Sequence, residues 1–254
     1  MTILFFTATG NSLSVAKAIG GKLISIPHLL HDNSGDIHIA DDEGVGIVFP
    51  VYFGNLPNPV RLLLGRVRIS APYKFAVLTY GEIAGRATSH LVRTAREAGI
   101  EFDYVRTIKM VDNNFSIVNV EKQVRTQGRK HIAEHMAGIS EEVRQRRSLI
   151  ERPNIIDRIV GFVEERMPAE DAPRRFSVEP DKCMGCGTCT RVCPNGNLRL
   201  IDGKPSWGEN CLKCTACYHN CPHGAIRYKG EKSRYTFRND AVSLGDIIYA
   251  NNNI

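Results

Sequence analysis

Eight cysteines stand between Cys183 and Cys221 of a 254-residue chain, and the 182 residues before them contain none. Cys183, Cys186, Cys189 and Cys193, followed by Pro194, are spaced C-x2-C-x2-C-x3-C-P. Cys211, Cys214, Cys217 and Cys221, followed by Pro222, repeat that spacing 28 residues on, and the same offset pairs Gly196 with Gly224 and Arg199 with Arg227. The segment is therefore an internal repeat of two halves. Three thiolates at this interval wrap the corners of an iron–sulfur cubane, and the small residues between them (Gly185, Gly187, Thr188, Thr215, Ala216) permit the tight turns that aim N–H groups at the sulfides. A proline after the fourth cysteine turns the chain away, so that thiol serves the other cluster. The spacing predicts one [4Fe–4S] cluster on Cys183, Cys186, Cys189 and Cys221, and a second on Cys211, Cys214, Cys217 and Cys193.

Two other uses of eight cysteines fit less well. Structural zinc sites use two C-x2-C pairs with a long separation, without a third close cysteine or C-P. Disulfides belong to exported chains, and Met1–Phe6 lacks a basic start and runs at once into polar residues, so no export signal is expected. Reduced thiols and a cytoplasmic location follow.

A second kind of chemistry is written in three turns nearer the start. Thr7-Ala8-Thr9-Gly10-Asn11-Ser12 offers three hydroxyls, an amide and a glycine directly before a helical pattern. Such a turn can cradle a phosphate on backbone N–H groups without a positive side chain, and it can equally be a plain helix cap. Pro50-Val51-Tyr52-Phe53-Gly54 and Tyr80-Gly81-Glu82 each combine aromatic residues with glycine. A flat ring could lie between those aromatics while the glycines admit backbone to its edge; plain rim packing is the alternative.

The elements that must position these turns are strands and helices in alternation. Apolar runs at Ile3–Phe6, Val45–Phe49 and Phe75–Tyr80, with a fourth at Tyr104–Val111, read as buried strands. Helical periodicity follows Ser12 (Leu13, Val15, Ala16, Ile19) and recurs at Val60–Val67 and Ala84–Ala98. The alternation implies a doubly wound parallel α/β sheet, whose ligands sit at the carboxyl ends of the strands. Gln123–Arg147 reads as one long helix closing that domain, and Ile155–Val163 as an apolar helix packing the two halves of the chain together. The expected division is 1–150 for the α/β domain, 151–173 for a helical connector with its boundary at Pro168–Pro173, 174–230 for a small α+β two-cluster domain, and 231–254 for a C-terminal cap and tail.

With these residues in view, the cysteine segment resembles a bacterial-type two-cluster ferredoxin over about residues 175–230. The three turns together resemble flavodoxin, whose phosphate loop T/S-x-T-G-x-T/S is matched by Thr7-Ala8-Thr9-Gly10-Asn11-Ser12. That resemblance implies FMN, with its phosphate on Thr7, Thr9, Gly10, Asn11 and Ser12. It implies isoalloxazine contacts from Pro50, Tyr52, Phe53, Gly54, Tyr80 and Gly81, with Tyr52 and Phe53 standing where a tryptophan is common. The whole chain is similar to fused flavodoxin–ferredoxin proteins, which implies electron transfer between FMN and two clusters and onward to a redox partner. A low-potential iron–sulfur enzyme is one such partner. No catalytic acid or base is required. The alternative is a flavin-dependent reductase of a small substrate, with the clusters as its internal wire and Tyr80, Glu82 and Asn113 near the ring.

The formal charge of +6 invites a nucleic-acid reading, but no basic stripe or helix-turn-helix pattern supports it. Residues 1–150 carry 18 Lys+Arg against 14 Asp+Glu, a mixed surface. Ligated thiolates with two oxidised cluster cores add roughly −4, and an FMN phosphate about −1.5 to −2, so the excess balances the implied cofactors. No apolar run approaches the ~18 residues of a membrane span. His131 and His135, at i and i+4, and Arg144, Arg146 and Arg147 read as solvated helix faces, and Trp207 as packing around a cluster. No G-x-G-x-x-G or G-x-x-x-x-G-K-[ST] motif is present, and nothing in the sequence sets an oligomeric state.

Overall fold

The protein is described by a computed structural model covering residues 1–32, 35–164 and 173–252. The chain begins β1 (Thr2–Phe5), α1 (Asn11–Ile19), β2 (Lys22–Ser25), α2 (Ile26–Asp32), β3 (Ile37–Ala40), β4 (Val45–Pro50), α3 (Asn58–Leu64), β5 (Val67–Ser70), β6 (Lys74–Tyr80), α4 (Ala87–Glu97) and β7 (Tyr104–Lys109). It continues through α5 (Val120–Arg125), α6 (Ile132–Arg144), β8 (Leu149–Ile150) and α7 (Ile155–Glu164). Among the described residues, six strands form one sheet in the order β2-β1-β4-β6-β7-β8, every neighbour parallel. Successive residues of a strand bury opposite faces: Ile3, Phe5 and Val48 enter one core, and Leu4, Ile47 and Phe49 the other. The strand order reverses between β1 and β4, which opens a crevice at their carboxyl ends. This is the doubly wound, flavodoxin-like α/β fold, and a small α+β unit with antiparallel strand pairs is joined to it.

Two local readings differ from the structure. The helix at Val60–Val67 stops at Leu64, and Val67–Ser70 becomes β5, paired in parallel with β3 as a separate two-stranded sheet. Ile37 and Ile39 alternate with His38 and Ala40, and Val67 and Ile69 with Arg68 and Ser70, a two-residue period too short to register against the helical pattern beside it. The long helix over Gln123–Arg147 is broken into α5, a 3-10 turn at Gln127–Lys130, and α6, with His131 in the left-handed region at φ 48°. The Lys130 ammonium donates to Met110 O (2.7 Å) and Gln123 Oε1 (2.8 Å), which draws the turn onto the sheet. Helix α7 forms where the sequence placed it. Its Asp157 carboxylate accepts from the Ala84 and Gly85 amides at 3.2 Å each, so it rests on the loop after β6, and Ile155, Ile156 and Ile159 stay exposed. Residues 168–172 of the expected boundary lie outside the described residues.

The chain then runs β9 (Phe176–Val178), α8 (Thr188–Arg191), β10 (Leu198–Ile201), β11 (Lys204–Trp207), α9 (Ala216–His219), β12 (Ile226–Tyr228) and α10 (Leu244–Asn251). Antiparallel pairs β9–β12 and β10–β11 frame the repeat, and α8 and α9 each start after a left-handed residue, Gly187 at φ 70° and Thr215 at φ 61°. The unit sits directly on the sheet: Val192 and Ala216 enter the core of Ile3, Phe5 and Val48. Helix α10 returns to that core through Ile247 and Ala250. Among the described residues no helix is long and apolar enough to cross a membrane.

The return of the chain has a specific effect on the first turn. Asn251 Nδ2 donates to Thr7 O (3.0 Å), Asn220 Nδ2 to Ala8 O (3.1 Å) and the Asn239 amide to Thr9 O (2.9 Å). Three consecutive carbonyls are thereby held from one side by residues more than 200 positions away. Gly10 closes the same contact. Its φ is 98°, and a Cβ there would stand 2.9 Å from Val242 Cβ. Gly10→Ala is expected to destabilise the protein by about 2 kcal/mol through backbone strain and overlap, lowering Tm by roughly 4–8 °C in thermal unfolding. An unchanged Tm would show that the 239–242 segment yields freely.

Candidate functional site

A cleft lies at the carboxyl ends of β1, β4 and β6. Its walls include Thr7, Thr9, Asn11 and Ser12 from the first turn, Pro50, Tyr52, Phe53 and Gly54 from the second, and Tyr80 and Gly81 from the third. Of the residues the sequence singled out for a flavin, Gly10 alone lies off the lining, where its role is the turn and the contact with Val242. Glu82 and Asn113, which the sequence placed near the ring, are also in the lining; sequence reasoning missed Thr79, Val111, Asp112, Asn114 and Ile117, and Lys213, Cys214 and Thr215. The last three come from the second cysteine set, so the cleft and the cysteine repeat share a wall.

The first turn is ordered around its hydroxyls. Thr7 Oγ1 accepts from the Gly10 amide (3.1 Å), Ser12 Oγ pairs with Thr79 Oγ1 (2.8 Å), and Thr9 Oγ1 accepts from Asn113 Nδ2 (2.6 Å). The Asn11 side chain is committed to structure: its Nδ2 donates to Val111 O (3.1 Å), and its Oδ1 accepts from Asn239 Nδ2 (3.1 Å). What Asn11 and Ser12 can offer a ligand is the backbone N–H of the first turn of α1, which carries no acidic residue. With the neighbouring carbonyls already bonded elsewhere, the loop matches a phosphate that brings its own negative charge.

The two aromatics of the second turn separate. Phe53 is 50% exposed with φ 50°, and Lys213 Nζ stands 5.5 Å from its ring centroid. Tyr52 turns inward with its ring edge-on to Phe6 (6.1 Å, 75°). Gly54 and Gly85 meet behind Phe53, where a Cβ on Gly85 would come within 2.5 Å of Gly54 Cα. At the third turn a Cβ on Gly81 would overlap the Asp112 carboxyl. Burial pushes that carboxyl up from its usual range. Glu82 has the opposite balance: partial burial raises it, but hydrogen bonds from Lys109 and Gln123 and the nearby Lys130 outweigh that and leave it below its usual range.

The eight thiols form two groups, each around a hollow. Cys183, Cys186, Cys189 and Cys221 line one, and Cys193, Cys211, Cys214 and Cys217 line the other. The fourth cysteine of each motif thus stands with the other motif's first three. Equivalent amides face the crossed sulfurs, Asn197 N to Cys193 Sγ (3.3 Å) and Ala225 N to Cys221 Sγ (3.4 Å). Burial raises Cys189 to about 11 and pushes Cys211, Cys214 and Cys217 upward, with neighbouring thiols adding to the effect. Thiols so placed need a cationic core to become thiolates. Cys186 differs: it is exposed, and the Thr188 hydroxyl beside it (3.4 Å) lowers it. Tyr52 Oη is a buried polar atom without a hydrogen-bond partner among the described residues, and Trp207 Nε1, also buried, lies beside the Cys217 sulfur.

His131 and His135 are exposed and line a separate hollow with Arg106, Lys109, Lys122, Arg129 and Lys130. It adjoins the cleft through Tyr80 and Glu82.

Comparison with known proteins bears on the cysteine repeat. Residues 182–226 match the family model of the 4Fe-4S dicluster domain, which supports iron–sulfur clusters on this segment over zinc. No curated protein matches the chain. Among solved structures, the metal-soaked flavodiiron core of Flv1 from Synechocystis sp. PCC6803 is similar at 16% identity and a TM-score of 0.28, over 56% of this chain and 36% of that one.

Proposed function

We propose that this protein is an electron carrier in which FMN in the cleft exchanges electrons with two [4Fe–4S] clusters, the first of them held by Cys193, Cys211, Cys214 and Cys217. The observation that carries the reading is the shared wall: Lys213, Cys214 and Thr215 line the cleft that the flavin loops form. When bound, FMN takes one or two electrons and each cluster takes one. The chain's own residues do the rest. Backbone N–H groups of the 7–12 turn hold the phosphate, with Thr7, Thr9 and Ser12 ordering the loop. Phe53, Tyr80 and Gly81 border the ring, and Tyr52 fills the space between ring and cluster. Cys183, Cys186, Cys189 and Cys221 ligate the second cluster, whose exposed Cys186 makes it the outlet to a partner.

On this reading residues 1–150 are the flavin unit and 174–230 the cluster unit, with 151–173 between them. The segment after residue 230 straps the two together. The partner is a redox protein, a low-potential iron–sulfur enzyme being the class that two such clusters suit. The cationic hollow beside the cleft favours an acidic partner face. Quantifying cofactors in anaerobically purified protein tests the proposal. About one FMN and ~8 iron atoms per chain are expected, and iron without flavin would reduce the protein to a plain two-cluster carrier.

A further inference from the structure

We propose that Tyr52 and Trp207 are hydrogen-bond donors to the sulfur of the flavin-proximal cluster, and that they make it the more easily reduced of the two. The inference rests on the cluster reading above and goes beyond it by setting an order between clusters that the repeat alone would leave alike.

The repeat supplies its own symmetric donors. Asn197 and Ala225, equivalent at the 28-residue offset, each present an amide to a crossed cysteine, at 3.3 and 3.4 Å. Those contacts favour neither cluster. Tyr52 and Trp207 break the symmetry. Tyr52 lies outside the repeat altogether, and the position 28 residues before Trp207 is Glu179, which has no aromatic N–H.

Both donors adjoin residues of one hollow, without lining it themselves. The Tyr52 hydroxyl is sealed from solvent and has no partner among the described residues. It shares the cleft wall with Cys214, and its ring belongs to the apolar cluster that includes Leu212. A phenol keeps its proton at neutral pH, so the buried O–H is available to donate. The Trp207 indole stacks on Phe176 (5.3 Å, 6°), a residue that lines the same hollow, and its buried Nε1–H lies beside the Cys217 sulfur. A buried O–H or N–H left without an acceptor is costly, and cluster sulfur would relieve it. On the other hollow the corresponding side-chain donor is the Thr188 hydroxyl, at a cysteine that water already reaches.

The consequence follows from charge. Reduction adds one negative charge to a cluster and spreads it onto the sulfurs. A donor at sulfur strengthens as that charge grows, so it stabilises the reduced state and raises the potential. Two buried donors on one cluster, where solvent is excluded, bias an electron toward the flavin side of the pair.

The test is an anaerobic potentiometric titration of the full chain, followed by electron paramagnetic resonance, for wild type, Tyr52→Phe and Trp207→Phe. Phenylalanine keeps both ring contacts and removes only the donor. Each substitution is expected to lower the reduced-to-oxidised ratio of one cluster about tenfold at a fixed potential, equal to ~59 mV for one electron, without moving the other. Unmoved potentials, or equal shifts in both clusters, would overturn the assignment. Wild-type protein exchanged into D2O gives a reading that needs no variant. Stronger exchangeable-proton couplings on one reduced cluster support the donors, and equal couplings on both overturn them. Iron counted in the same samples separates the two failures: ~8 irons with unmoved potentials defeats this inference alone, and a wild type without its clusters defeats the reading beneath it.

Discussion

Thr7→Asp is expected to strip the flavin from the protein while leaving its iron in place. Thr7 is buried, and its hydroxyl accepts the Gly10 amide at 3.1 Å. An aspartate is close in size and accepts the same N–H more strongly, so the turn keeps its shape. What changes is the charge facing the phosphate. Two unit charges about 4 Å apart near a protein surface repel by about 4 kcal/mol, and each 1.4 kcal/mol is tenfold in affinity. FMN binding should weaken by roughly a thousandfold, read by flavin fluorescence titration, whereas Thr7→Ser should stay close to wild type. An aspartate variant that retains flavin would place the phosphate elsewhere.

The second large effect concerns the crossed ligands. Cys193→Ser should remove the cluster that borders the cleft, although Cys193 belongs in sequence to the first motif. It stands with Cys211, Cys214 and Cys217 around one hollow. Serine is a poor ligand for this soft metal core, so iron should fall from ~8 to ~4 per chain with flavin retained. Cys214→Ser should give the same product, and Cys221→Ser the complementary one. Redox titration distinguishes them, because the surviving cluster of Cys193→Ser should match that of Cys214→Ser and differ from that of Cys221→Ser. If Cys193→Ser instead behaved like Cys183→Ser, each motif would ligate its own cluster and the crossing would be wrong.

Much of this was legible in the sequence, for local reasons. The cysteine spacing and the two prolines dictate tight turns, and the structure brings together the same two sets of four thiols that the spacing predicted. The apolar runs at Ile3, Val45 and Phe75 have no polar alternation because both faces of a parallel strand are buried, so a parallel sheet was legible, whereas its strand order, with the short β2 and β8 at the edges, was not. Illegible were features that depend on distant packing. Asn239 contacts Asn11 across 228 positions, and no local pattern announces it. Apart from Asn113, the 111–114 stretch reaches the cleft because the chain turns there beside Gly81, not through any motif of its own. Lys213, Cys214 and Thr215 read as cluster residues and are also cleft residues, which becomes visible once the repeat is seated on the sheet. Phe53 and His131 adopt positive φ without being glycine, which residue type alone would not suggest.

A flavin and clusters that form one electron path within a single chain would exchange electrons intramolecularly. Flash photoreduction of the flavin in the holoprotein, with flavin and cluster absorbance followed together, addresses this exchange most directly. Flavin reoxidation and cluster bleaching are expected to share one rate, independent of protein concentration and lost in Cys214→Ser. A rate that rises in proportion to protein concentration, or clusters that do not bleach, would contradict such a path.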